Sequence, residues 1–157
     1  AKKEGKTVVK KEVKKVEQKK VVKTAEPKKE EVKEVAVAAR TGEEVYIQVC
    51  QACHQAGGVG IPGAFPPLAG SEWIAKPNDT LIKIVLYGLQ GEIEVKGQKY
   101  SSMMTPQAAF LNDQEVANVL SHVRTSFGNT GLAIKAEEVK VVRDANAGHG
   151  IWNASEL

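Results

Sequence analysis

The sequence is short of the residues that usually fill a core. Aromatic side chains make up only 5% of its 157 residues, against 42% hydrophobic residues overall. A core of side chains alone would be thin for one modest domain, and a buried cofactor would help to fill it. No apolar run reaches the roughly 18 residues that a membrane-crossing helix needs, so no segment of this sequence reads as one. There are only two cysteines, too few for the two Cys pairs of the usual structural zinc site. No Ser/His/Asp arrangement is visible, and the glycine-rich stretch follows a cysteine rather than a strand, so phosphate cradling is not indicated. The chain begins at Ala1 rather than Met and carries no secretory signal, which leads us to expect a processed export product or a fragment.

Charge is plentiful but uneven. Residues 1–40 hold 14 Lys and Arg against 7 Glu, a net of +7, whereas residues 41–157 hold 8 against 12 Asp and Glu, a net of −4. The overall +3 therefore belongs to the leading segment. No aromatic residues interleave its lysines and no nucleic-acid-binding motif follows, so a nucleic-acid partner is not expected. Its Lys/Val/Glu repetition, broken by Pro27, offers too little apolar surface to offset the entropy of ordering it. We read residues 1–40 as a flexible tether spanning about 35 Å root-mean-square. Association with an anionic membrane surface or an acidic partner is the sharper alternative.

The patterned part begins at Thr41. Thr41 with Glu44 predicts a capping box opening a helix through about Cys53. The Gly- and Pro-rich stretch from Gln55 to Gly70 predicts a loop. Leu81, Ile84 and Val85 follow Asn78-Asp79 at helical spacing and predict a second helix to about Tyr87. Alternation of Ile93 and Val95 around Gly97 predicts a small hairpin between Gly91 and Tyr100. Asn112 and Glu115 form another capping box ahead of the apolar face of Val116, Val119, Leu120 and Val123, with Gly128 as the stop. A last short helix is expected over Ala136 to Arg143, then a polar tail carrying His149 and Trp152.

The chemistry concentrates in Cys50-Gln-Ala-Cys53-His54, the C-x-x-C-H arrangement of c-type haem attachment. On a helical turn, residues three apart share a face, so both sulfurs can reach the two vinyl groups of one haem. His54 is then held beneath the iron as proximal ligand. Zinc would have to recruit the distant His122. A thioredoxin-like pair would want a βαβ setting, and a disulfide would leave His54 without a role. An electron-shuttling iron also needs a sixth ligand, for which a Met thioether is suited. The sequence holds only two methionines, Met103 and Met104, adjacent on a loop before Pro106. One of them is the candidate distal ligand. His122 and His149 read as packing or surface residues rather than ligands.

Over residues 41 to about 128 the chain resembles the class I cytochromes c. That family places a glycine eight residues and an aromatic four residues before the first haem cysteine, as Gly42 and Tyr46 stand here. The glycine lets the first helix cross the last one closely. The family's Pro-x-Leu-x-Gly stretch reads Pro66-Pro67-Leu68-Ala69-Gly70. By resemblance, the Pro66 carbonyl would accept the His54 Nδ1 hydrogen and Leu68 would pack on the haem face. A narrower similarity is to the haem domains that accompany bacterial copper nitrite reductases, quinoprotein dehydrogenases and terminal oxidases. It lies in Phe65-Pro-Pro-Leu-Ala-Gly-Ser-Glu-Trp73, in Gly88 to Tyr100 and in Gly128-Asn129. Those relatives place the ligand methionine four residues after a tyrosine, which points from Tyr100 to Met104, with Met103 as the alternative. Trp73 would pack near the haem edge or propionates, or simply fill the core.

The resemblance implies an all-α, small class I cytochrome c fold with a minor β-hairpin over 41–128, preceded by the disordered tail and followed by an extension over 129–157. It implies one covalent haem c and single-electron transfer, not catalysis. The expected partners are respiratory redox proteins: an oxidase, a reductase, a dehydrogenase or a quinol-oxidising complex, with the tail as a membrane-complex leash. The alternative function is a haem-bearing structural or sensor subunit of a larger membrane-associated respiratory complex. Because c-type haem is attached outside the cytoplasm in bacteria, a periplasmic location or the outer face of the cytoplasmic membrane is implied.

Overall fold

The computed structural model of the chain describes residues 38–157. The tether expected over 1–40 lies outside the described residues except for its last three. Arg40, just before the expected start at Thr41, is bonded into the fold: its guanidinium meets the Glu115 carboxylate at 2.7 Å, and its carbonyl accepts from Asn118 Nδ2 at 2.7 Å.

The first helix opens as its sequence predicts. Thr41 Oγ1 accepts from the Glu44 N–H at 3.2 Å, and the Glu44 carboxylate accepts from the Thr41 N–H at 2.8 Å, so two orphan donors are satisfied reciprocally. Helix α1 (Gly42–Val45) runs through one π-helical turn, Tyr46–Cys50, into α2 (Gln51–His54). In that turn the Gln51 N–H reaches back five residues to the Tyr46 carbonyl, a widening common at functional positions. The helix stops where Gln55 adopts φ 63°, ψ 166°.

A loop and a short 3₁₀ turn, Glu72–Ala75, lead to α3 (Asn78–Tyr87), which buries Leu81, Ile82, Ile84 and Leu86. Gly88, at φ 81°, ends it where any Cβ would strike the Met104 carbonyl. Strand β1 (Leu89–Gln90) follows, then the expected hairpin of β2 (Ile93–Val95) and β3 (Gln98–Tyr100), with Ile93 opposite Tyr100. Its two-residue loop, Lys96-Gly97, has φ of 53° and 75°, the positive pair that suits strand twist in tight hairpins.

Helix α4 (Asp113–Thr125) carries the second capping box, with Asn112 Oδ1 accepting from the Glu115 N–H at 2.9 Å. It ends at Thr125, not at Gly128 as the sequence suggests. Phe127 already stands at φ 58° and turns its ring onto Tyr46, centroids 5.0 Å apart. Val116, Val119, Leu120 and Val123 of α4 pack with Val45 and Tyr46 of the first helix in one core.

Helix α5 (Ala136–Ala145) adds Val139 and Val142 to that same core, together with Ile134. The tail after it is not a free polar segment. It returns as β4 (Trp152–Asn153) and pairs in parallel with β1, Leu89 opposite Trp152. The described fold is therefore mostly helical with two minor two-stranded pairings, one more than the sequence indicates.

Candidate haem site

Five stretches distant in sequence line one apolar cleft of about 210 Å³. The first helix brings Val49, Cys50, Cys53 and His54; the Pro-rich loop brings Pro66 and Leu68; α3 brings Leu81, Ile84 and Val85. The hairpin and the loop after it contribute Tyr100, Met103 and Met104, and α4 closes the inner end with Val119, Leu120 and Val123. Close-packed cores leave few voids larger than a water molecule, and an apolar cleft into which a few polar donors converge is the usual form of a ligand or cofactor site. A flat, apolar macrocycle with a metal at its centre fits both the lining and the donors that reach into it.

His54 ends α2, where its ring is fixed from behind. Its Nδ1–H donates to the Pro66 carbonyl at 2.9 Å, leaving Nε2 with its lone pair. Burial pushes the His54 pKa down, with the Pro66 bond acting weakly the other way, so the neutral imidazole a metal requires is the favoured form. The backbone just beyond is restrained as well: Tyr46 donates its hydroxyl to the Gln55 carbonyl at 2.6 Å. Burial and the nearby Cys50 push the Tyr46 hydroxyl up to about 12, so it stays a donor at any ordinary pH.

Cys50 and Cys53 are not joined to each other by a disulfide; Cys50 is half-buried and Cys53 exposed. Burial, and secondarily Cys53, pushes the Cys50 thiol up to about 11, unlike the depressed thiolates of redox-catalytic pairs. Among the described residues, no three His, Cys, Asp or Glu side chains converge as a metal-holding cluster. His122 is not drawn in with the cysteines.

The Met residues differ in their support. Met104 exchanges both backbone hydrogen bonds with Leu89, at 2.8 and 3.1 Å, and is half-buried. Met103 lines the same cleft but is 53% exposed. Trp73 lines the cleft and donates its Nε1–H to the Glu94 carbonyl at 2.9 Å, with Lys76 Nζ 4.3 Å above its ring. Tyr100 is buried and donates to Gln98 Oε1 at 3.1 Å. His122 lies elsewhere, packed between Tyr46 and Phe127 at centroid distances of 5.8 and 5.4 Å. His149 stacks on Trp152 at 3.6 Å. Gly42 sits where a Cβ would strike the Asn118 carbonyl and approach His122 Cβ at 2.6 Å, which is the close helix crossing expected of it.

Sequence reasoning missed what ties the Pro-rich loop down. Asn129 Nδ2 donates to the Leu68 carbonyl at 3.0 Å and to the Val123 carbonyl at 2.8 Å, while its Oδ1 accepts from the Gly70 N–H at 2.9 Å. The loop that aims His54 is thereby anchored to the end of α4. Gly128-Asn129 was visible in the sequence only as part of the narrower similarity, which gave Asn129 no partner.

The cytochrome c family model matches residues 39–127. The chain belongs to the cytochrome c family. Among curated proteins, it is 48% identical over 118 residues to a cytochrome c-552 of Thermus thermophilus, covering 69% of this chain and 78% of that protein. A second Thermus thermophilus cytochrome c-552 is 49% identical over 111 residues, 65% of this chain and 83% of that protein. More distant is the cytochrome c subunit of a quinone alcohol dehydrogenase from Gluconacetobacter polyoxogenes, 31% identical over 113 residues, 70% of this chain but 24% of that protein. This cytochrome is an electron carrier rather than an enzyme, and Cys50 and Cys53 are the attachment points of a covalent haem c. Among the described residues, no helix is long and apolar enough to cross a membrane.

Proposed function

We propose that this cytochrome passes single electrons between respiratory redox proteins outside the cytoplasm, its iron held between His54 Nε2 and Met104 Sδ. The reading rests on one observation: a single apolar cleft gathers both cysteines, His54 and Met104. When bound, the haem supplies a one-electron Fe(III)/Fe(II) couple, whose potential a thioether ligand raises. The chain's part is to hold and exclude. The Pro66 carbonyl keeps the His54 proton on Nδ1 and the ring in one orientation. Ile84, Val85 and Leu120 keep water from the cleft, and a dry surrounding limits reorganisation on electron transfer. The Leu89 pairing favours Met104 over the exposed Met103 because its backbone is already fixed.

Candidate donors and acceptors are an oxidase, a reductase, a dehydrogenase or a quinol-oxidising complex. The relatives that are dehydrogenase cytochrome subunits support the third of these. The Lys-rich segment that precedes Arg40 would act as a leash to a membrane-bound partner. The test is optical and electrochemical. Ferric wild type is expected to show the weak long-wavelength sulfur–iron band. Met104→Ala should abolish that band and lower the potential, leaving the haem attached. Loss of the band in Met103→Ala instead would move the ligand by one residue.

A further inference from the structure

Arg143, on α5, lies outside the cleft, yet two of its three guanidinium nitrogens bond carbonyls of the loop that leads away from Met104, and the third meets the first residue of α4. Nη1 donates to the Ala108 carbonyl at 2.9 Å, Nη2 to the Leu111 carbonyl at 2.8 Å, and Nε to Asp113 Oδ1 at 2.6 Å. The amide side of that loop is bound elsewhere. Gln107 and Ala108 donate to Val85 and Leu86, both at 3.0 Å, and so satisfy carbonyls that the C-terminal end of α3 leaves without helical partners. Residues 104–111 thus lie between two fixed bodies, α3 on the amide side and Arg143 on the carbonyl side. The C-terminal segment holds the other end too. Strand β1 meets Met104 through Leu89 and β4 through the Leu89–Trp152 pairing, and the Trp152 N–H donates to the Gly88 carbonyl at 3.3 Å.

We propose that Arg143 is a positioning residue for the distal ligand: by clamping the Ala108 and Leu111 carbonyls, it sets how often the Met104 loop opens. The proposal rests on Met104 being the iron ligand. The chemistry suits arginine in particular. A planar guanidinium presents several donors in a fixed fork and can satisfy two carbonyls and a carboxylate at once, whereas an ammonium group cannot span them. Removing it leaves two part-buried carbonyls unpaired while the loop is closed, a penalty relieved by opening to water. An added ligand reaches the iron only after the methionine has left, so its binding rate reads that opening.

The experiment uses the full-length, haem-loaded ferric protein and imidazole as the entering ligand, with rates followed optically and melting temperatures measured alongside. Arg143→Ala should bind imidazole about tenfold faster than wild type, a factor equivalent to ~1.4 kcal/mol. Arg143→Lys, which keeps the charge beside Asp113, should also be faster. Gly42→Ala, which destabilises the fold at the other helix crossing, should bind at the wild-type rate despite a lower melting temperature. Amide hydrogen exchange at Met104, bonded to the Leu89 carbonyl, should quicken in Arg143→Ala relative to amides within α4. Equal imidazole rates in wild type and Arg143→Ala would overturn the proposal. So would an acceleration in Gly42→Ala matching that in Arg143→Ala, since it would reduce the effect to global stability. Met104→Ala separates the two readings. If it binds imidazole no faster than wild type, the ligand assignment falls. If it is fast while Arg143→Ala is unchanged, only the clamp falls.

Discussion

Replacing Gly42 by alanine asks whether the first helix is as closely seated on α4 as the structure has it. An added Cβ would strike the Asn118 carbonyl oxygen, lie 2.8 Å from the Asn118 carbonyl carbon and 2.6 Å from His122 Cβ. Carbon contacts are comfortable at about 3.5–4.0 Å, so the helices must part by about 1 Å. The obstructing atoms are backbone and Cβ, which cannot swing aside as a side-chain tip would. Overpacking of this kind costs about 1–3 kcal/mol, here near the upper end because Val45 and Tyr46, both buried, lift with the helix. Alanine's better helix propensity returns at most ~1 kcal/mol, leaving a net loss of about 2 kcal/mol. An unfolding entropy of about 2.1 cal/mol/K per residue over about 120 residues converts this to a melting temperature lower by about 8 °C. The assay is thermal unfolding of the haem-loaded protein by circular dichroism. Gly150→Ala, a glycine with no heavy atom within 4 Å of its added Cβ, should stay within about 2 °C of wild type. An unchanged or raised melting temperature for Gly42→Ala would refute the close crossing.

Two further outcomes follow from side chains that tie distant segments together. Asn129→Ala removes three hydrogen bonds and takes this partner from the Gly70 N–H and the Val123 carbonyl, while the Leu68 carbonyl keeps the Ser71 N–H at 3.3 Å. It should cost about 1–3 kcal/mol in chemical denaturation, and no loss would mean that the loop holds itself. Glu115 titrates below the usual carboxylate range, first because of its hydrogen bond to Arg40. A depressed folded value adds stability that is in full force above the ordinary 4.5 and disappears as pH falls through the folded value. The stability gap between wild type and Glu115→Gln should therefore be widest near pH 6 and close toward pH 3. A gap independent of pH would assign the pair no electrostatic role.

Local signals in this sequence carried far. The two capping boxes, at Thr41 and Asn112, depend on side chains three residues apart and are visible without any tertiary knowledge. The same holds for the Lys96-Gly97 turn and for the haem motif, whose members are neighbours along the chain. What escaped was set by long-range contact. The β1–β4 pairing joins residues 63 apart through two-residue strands, too short for any alternation to register. Asn129 and Arg143 act on carbonyls, and a carbonyl's partner leaves no trace in residue identity. The early end of α4 has the same origin, since Phe127 leaves the helix to reach Tyr46.

The widened turn at Tyr46–Cys50 gives the spacing of the first helix a meaning beyond motif matching. Gly42 and Tyr46 address α4, while Cys50, Cys53 and His54 address the cleft, and the loosened turn gears one set of directions to the other. Each residue of an ordinary helix advances the azimuth by about 100°. Gaining or losing a single residue between Tyr46 and Cys50 would therefore swing the thiols away from the porphyrin while the glycine stayed seated. The interval between them behaves as a gear ratio, and family members that vary it must alter the coil of this helix in step.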